Sequence, residues 1–293
     1  MSNIIYNGVH VDAAYKKNFE PNLFFDSWMI PGVTYNDQYE TGELGQLFVH
    51  KLGKGNAVTP GNPARDFEHE NSEDNLIAMV LNTNYQKSTK IYGAQVAGVA
   101  APLADEKLSQ TTKMIREAIC GSAIAALVKE GKAGTVVTPT KDTVEDVIVD
   151  VRTELVKKRA SSAKVVLAHP DFYGMILKSA GKAFTPVVND RIVGNGEVGN
   201  WLGFTFFNVG QLGAGETYKY NDYASVWQTV TGEDFDKVNF IALNPMAFHL
   251  LINLQAYGLV DARPHFTGVY AQGEVNCGFR VSNSDLVYVS KRA

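Results

Sequence analysis

Hydrophobic positions along the chain change period from one segment to the next. The strongest helical pattern lies at 103–130, where Leu108, Thr112, Ile115, Ile119, Ala123 and Leu127 recur at steps of three and four. Pro102 just before it and Gly131 just after it are start and stop signals. At 1.5 Å per residue such a helix is roughly 42 Å long, more than most globular helices need. A short strand is predicted at 134–139. A second helix follows at 142–159, with Val144, Val147, Ile148, Val151 and Leu155 on one face. Asp142 and Glu145 fit an N-terminal capping box, and Lys157-Lys158-Arg159 oppose the negative end of the helix dipole.

An internal echo comes next. Val165-Val166-Leu167-Ala168-His169-Pro170 leads into Phe172-Tyr173-Gly174-Met175-Ile176-Leu177. Phe240-Ile241-Ala242-Leu243-Asn244-Pro245 leads into Phe248-His249-Leu250-Leu251-Ile252. Both read as a strand, a capping residue, proline at the first helical position and then a helix. They predict one mixed α/β domain over 141–258. Residues 201–209 read as an aromatic strand between the two units. The tail, 260–293, returns to short apolar or alternating runs, expected to pair beside the long helix.

The front of the chain lacks such order. Residues 1–31 carry Leu23, Phe24, Phe25, Trp28 and Met29 without sustained period. Terminal segments are usually polar, so this one must lie on its own core or on a neighbouring subunit. Residues 45–52 have strand composition and 75–92 form a second extended run, with loop chemistry between them. This is an arm-like hairpin, which is marginal in water unless another surface supports it.

Composition sharpens this picture. Charged residues make up only 20% of the chain and apolar residues 45%, so some surface is hidden from water. The net charge of −4 argues against a protein that works by neutralising many phosphates. Cys120 and Cys277 are too few for a disulfide framework or a zinc site and read as buried thiols. The N-terminus lacks a signal-peptide pattern, and no apolar run reaches the roughly 18 residues of a membrane span. A soluble intracellular product without membrane contact is expected.

Catalytic motifs find little support. Gly194-Asn195-Gly196-Glu197-Val198-Gly199 matches the dinucleotide pattern, but that motif must open a helix and here it leads into Trp201-Leu202-Gly203-Phe204. Gly194, Gly196, Gly199 and Gly203 are better read as a structural glycine turn. The run from Asp66 to Asp74 is acidic but lacks the spacing of a calcium loop. The histidines form no close pair, and His169 reads as a helix cap. No enzyme activity, cofactor or metal is expected.

The order of elements carries more than the motifs do. An apolar arm, a long hairpin, a long helix, an inserted α/β domain and a β return resemble the major capsid protein of tailed bacteriophages, the Hong Kong 97 fold family. The stretch from Gly194 through Gly203-Phe204-Thr205-Phe206-Phe207-Asn208-Val209 is similar to that family's glycine-rich turn followed by an apolar strand. The resemblance implies an α+β fold with an N-arm at 1–31 and an extended loop at 32–93. It implies a peripheral domain at 94–140 and 259–293 with its spine helix at 103–130, and an axial domain at 141–258.

The implied function is structural. Copies of the chain, as pentamers and hexamers, would close into an icosahedral shell around double-stranded DNA. Their heterologous contacts close into rings. The implied partners are a scaffolding protein, a portal, possible decoration proteins and nonspecifically held DNA. The implied location is the virion, after assembly in a bacterial host's cytoplasm. Phe24, Phe25, Trp28, Leu47, Phe48, Val49 and Lys51 are the expected subunit-contact residues. Some members crosslink a loop lysine to a peripheral asparagine, and Lys51 or Lys54 and Asn276 occupy the corresponding regions. The alternatives are an encapsulin-like compartment shell, a nucleotide-binding enzyme built on 194–199, and a tail-tube subunit. Encapsulins usually start with a cargo-binding helix, and tube subunits do not need the long helix, so the phage shell is the favoured reading.

Overall fold

The computed structural model describes residues 4–6, 9–11, 28–36, 46–51, 75–81, 83–92, 101–158, 160, 162–180, 197–213, 218–221, 227–230, 235, 237–261 and 268–292. The chain starts with a small antiparallel pair, β1 (Ile4–Tyr6) and β2 (Val9–Val11). Next come β3 (Gln46–Lys51) and β4 (Asn75–Val80), an antiparallel pair running from Gln46 opposite Val80 to Lys51 opposite Asn75. The second extended run does not stay in this hairpin. It divides after β4, and β5 (Thr83–Tyr92) leaves to pair elsewhere.

The long helix α1 spans Ala101–Glu130, 30 residues and about 45 Å. Pro102 therefore lies in its first turn, where a missing N–H breaks no helical bond, rather than before it. Residues Ala123 to Leu127 are buried all round. A helix packed on one side needs only one apolar stripe, so this stretch must have partners on every side. It has them, because α1 lies between two sheets.

The first sheet has the order β13–β14–β5, built from β13 (Phe248–Asp261), β14 (Gly268–Val281) and β5. The second has six strands in the order β6–β15–β12–β7–β9–β8. They are β6 (Lys132–Val136), β7 (Val165–Ala168), β8 (Glu197–Trp201), β9 (Phe204–Asn208), β12 (Val238–Leu243) and β15 (Val287–Lys291). A separate pair joins β10 (Tyr218–Asn221) to β11 (Trp227–Val230).

Alternation along these strands divides the core in two. Leu167, Phe207, Ile241, Leu243 and Val289 pack with α1 and the three-stranded sheet. Val166, Phe206, Phe240, Ala242 and Tyr288 pack under α2 (Val144–Lys157) and α3 (Pro170–Ala180). β7 and β12 are buried along their whole length, which is why they read as unbroken apolar runs. Phe206 and Phe207 are both fully buried. Each contributes about 2–3 kcal/mol of apolar burial on opposite faces of one strand.

Four expectations are corrected. Residues 248–252 are strand, not helix, and Pro245 opens one 3-10 turn before β13 begins. An apolar run this short has no decisive period, and the ladder with β14, closed from Phe248–Val281 to Asp261–Val269, satisfies its backbone. The Asp142–Glu145 capping box does not form. Thr143 is the N-cap, and its Oγ1 accepts the N–H of Thr140 at 3.0 Å. Residues 201–209 are two strands rather than one, folded back at Leu202-Gly203. In the tail, β14 pairs with β5 beside α1, but β15 joins β12 and β6 in the larger sheet.

Candidate subunit-contact surfaces

Residues 28–36 are stitched into the chain's own core. Trp28, Met29 and Tyr35 are buried. The Sγ of Cys120 on α1 lies 3.3 Å from the Sδ of Met29. Asn36 pairs with β13, its N–H donating to the Phe248 carbonyl at 2.8 Å. The Trp28 ring, expected at a subunit contact, is covered by its own chain. Val49 of β3 is likewise buried. Leu47, Phe48 and Lys51 are placed on β3 by the backbone ladder. Phe24, Phe25 and Lys54 lie outside the described residues. Asn276 sits inside β14, opposite Asn253 and Asn84.

The glycine-rich stretch is a hairpin corner. Gly194 and Gly196 lie outside the described residues. Gly199 is in β8, where the register against β9 shifts. Gly203 has φ +83° and Leu202 φ +50°, the paired positive angles of a tight two-residue hairpin turn. Leu202 is an unusual residue for the left-handed region, at a cost of about 1–2 kcal/mol. Its half-buried side chain packs on the core under α2, and Arg152 Nη1 donates to its carbonyl at 2.9 Å. Both contacts offset the backbone cost. The glycines lead directly into β8 and β9 rather than into a helix, so the nucleotide reading loses the element it requires there.

Buried titratable groups hold the fold together. Burial pushes the Cys277 thiol and the Tyr85 phenol well up, and Tyr85 is hydrogen-bonded to Ser122. A thiol held protonated this way is a poor nucleophile. Burial lowers His249 to about 4, so it is neutral. His169 Nδ1 accepts the Asp171 N–H at 3.1 Å, the capping role its sequence position suggests. Among the described residues, no cluster of His, Cys, Asp and Glu is placed to hold a metal ion, and no helix is long and apolar enough to cross a membrane.

Several apolar side chains are exposed among the described residues. Val149 and Val156 of α2 are 43% and 55% exposed. Val136 on the edge strand β6, Leu177 on α3 and Met246 beside β13 are also open. The signal for the α2 face was present in the sequence: Val149 and Val156 fall off the buried stripe of Val144, Val147, Ile148, Val151 and Leu155. They are valines where a solvated helix face carries polar residues.

No family model matches the sequence, and no curated protein matches it. The three-dimensional arrangement does find counterparts. The bacteriophage PhiM1 mature capsid superposes with a TM-score of 0.57 at 15% identity, over 90% of this chain and 91% of that one. The fold is that of a phage capsid subunit. The capsid of Ralstonia phage GP4 gives a TM-score of 0.58 at 8% identity, over 88% and 87%. The capsid of cyanophage P-SCSP1u gives 0.55 at 12%, over 89% and 86%. The capsid fold thus extends over almost the whole chain, and the resemblance read from its element order holds at the level of fold. With identity this low, packing pattern rather than particular residues is what the chains share.

Proposed function

We propose that this chain is a major capsid subunit whose copies close into an icosahedral shell around double-stranded DNA, with a structural rather than catalytic role. The observation that carries this reading is the capsid fold over about nine-tenths of both chains compared. The protein's own surface agrees with it. Its hairpin β3–β4 and its exposed valines on α2 are features that a partner chain would cover. In this reading 1–31 is the arm, 32–93 the extended loop, 94–140 with 259–293 the peripheral domain that contains α1, and 141–258 the axial domain. A scaffolding protein, a portal and decoration proteins are the partners it would need, and the virion is its place.

Electron microscopy of the expressed chain, alone and with its scaffolding partner, tests the proposal. Closed shells of regular size are expected. A chain that stays monomeric at high concentration with that partner present overturns it. Shells that copurify with an enzyme cargo and exclude DNA would replace it with the compartment reading.

A further inference from the structure

The exposed face of α2 carries a pattern that its own fold does not use. Val149, Arg152 and Val156 follow one another at steps of three and four, forming one stripe about 10 Å long. All three are exposed. Beside Val156 the stripe falls into a groove of about 270 Å³, lined by Arg152, Val156, Lys164, Gly203 and Phe204. Arg152 is held in place there. Its Nη1 donates to the Leu202 carbonyl at 2.9 Å, and a Cβ on Gly203 would touch its Cζ at 3.4 Å. Lys164 is exposed on a fixed backbone, its carbonyl accepting the Thr205 N–H at 2.8 Å. Neither cation forms an ion pair among the described residues. Asp150 and Glu154, two positions either side of Arg152, lie on the other side of the helix, and Glu154 is held by Lys158. Basic residues complement the dipole only in a helix's last turn. Arg152 lies before that turn and Lys164 outside the helix, so the dipole accounts for neither.

An apolar, a cationic and an apolar side chain at this spacing are the complement of an amphipathic helix with an acid between two apolar residues. We propose that α2 docks such a helix from a different protein, its apolar side chains on Val149 and Val156 and its carboxylate on Arg152 and Lys164. The groove beside Val156 receives one of the apolar side chains. A different protein is favoured over a second copy by what this chain offers. Among its described helices only α2 bears two exposed large apolar residues seven positions apart, whereas Met114 on α1 and Leu177 on α3 stand singly. Two α2 faces laid antiparallel, with Val149 of each on Val156 of the other, would set the two copies' Arg152 side chains against each other, and such like-charge contact is repulsive. Glu145, one turn before Val149 on the same stripe, is where the partner helix would carry a base. The docking goes beyond the shell reading and does not depend on it.

The test uses the full-length chain and a fluorescent, lactam-stapled helical peptide, read by anisotropy. The peptide carries leucines seven positions apart and two glutamates midway between them, on an alanine and glutamine background. The wild type is expected to bind it, more weakly as salt rises. The same peptide with glutamine for both glutamates, or serine for both leucines, should bind more weakly. Lys164→Glu, which leaves the Leu202 contact in place, and Val149→Ser with Val156→Ser should each weaken binding about fivefold, the scale of one half-exposed charge pair. An unchanged urea midpoint shows that these surface variants fold. No binding by the wild type, equal binding by the variants, or equal binding of the glutamate and glutamine peptides overturns the proposal. Self-association of the chain that falls with Val149→Ser and Val156→Ser assigns the face to a second copy and overturns it too. So does duplex DNA binding that Lys164→Glu abolishes while peptide binding stays the same. Closed shells without peptide binding leave the shell reading standing. Peptide binding by a chain that never forms shells supports the docking and overturns the shell.

Discussion

Glu130, the last residue of α1, grips Arg280 of β14: its Oε1 accepts from the arginine Nη1 at 3.0 Å, while its Oε2 accepts the Val281 N–H at 2.8 Å. A carboxylate at a helix C-terminus opposes the helix dipole, so this residue is unfavourable until its partners are counted. Together they fix the end of the long helix to the sheet it crosses. Glu130→Ala removes both acceptors and should cost about 2 kcal/mol, discounted from a fully buried pair because Arg280 is partly exposed. Glu130→Gln keeps one acceptor and should cost about half as much. Urea unfolding of the chain at low concentration measures both, and equal losses would show that the second hydrogen bond contributes nothing.

The turn at Leu202-Gly203 gives a sharper test. A Cβ at Gly203 would meet the Arg152 guanidinium at 3.4 Å, which is ordinary contact. The penalty for Gly203→Ala therefore comes from its φ of +83° alone, about 1–2 kcal/mol. Leu202→Gly should be close to neutral, because the relieved backbone is offset by lost packing on the α2 core. If Gly203→Ala leaves the unfolding midpoint unchanged, the turn is not of this type.

The helices were legible because their periods are clear, and β7 and β12 because they are unbroken apolar runs bounded by a cap and a proline. The α2 stripe of Val144 to Leu155 and the strand–proline–helix unit at Val165 to Ala180 come out as read. Residues 248–252 misled because the start of β13 is buried on both faces and so shows no alternation to distinguish it from a helix. The Trp201–Phe204 corner misled because leucine is a poor residue for a left-handed turn, and only Gly203 signals it. Which apolar side chains are exposed was the least legible part. Trp28 and Val49 look sticky in sequence but are buried in their own chain, while Val149 and Val156 are open. Burial belongs to tertiary packing, and a sequence states only which side chains need it.

Gly134 and Tyr288 show the same dependence on packing in the edge strand β6. A Cβ on Gly134 would lie 2.0 Å from the Tyr288 ring, so the glycine makes room for the tyrosine. The Tyr288 hydroxyl accepts the Thr135 N–H at 3.0 Å, and its ring stacks on Phe240 at 6.5 Å. Gly134→Ala should cost about 2–3 kcal/mol by overpacking. On a Tyr288→Ala background the same change should cost almost nothing, because the clash has gone. A double-mutant cycle measures this, and additive losses would rule out the ring as the cause.

Acid should loosen the chain at His249. This side chain is buried on β13 where Asn36 pairs alongside, and its pKa falls from 6.5 to about 4 because burial disfavours the cation. The unfolded chain therefore binds more protons than the folded one between about pH 6.5 and pH 4. Stability from this group is complete above that window, falls as the pH drops through it, and changes no further below it. Two pH units within the window correspond to about 2–3 kcal/mol at most. The unfolding free energy at pH 4.5 should fall below its value at pH 7 by that order. His249→Gln should lower stability at pH 7 but remove this share of the acid slope. An unchanged slope in the variant would assign the acid sensitivity to other groups.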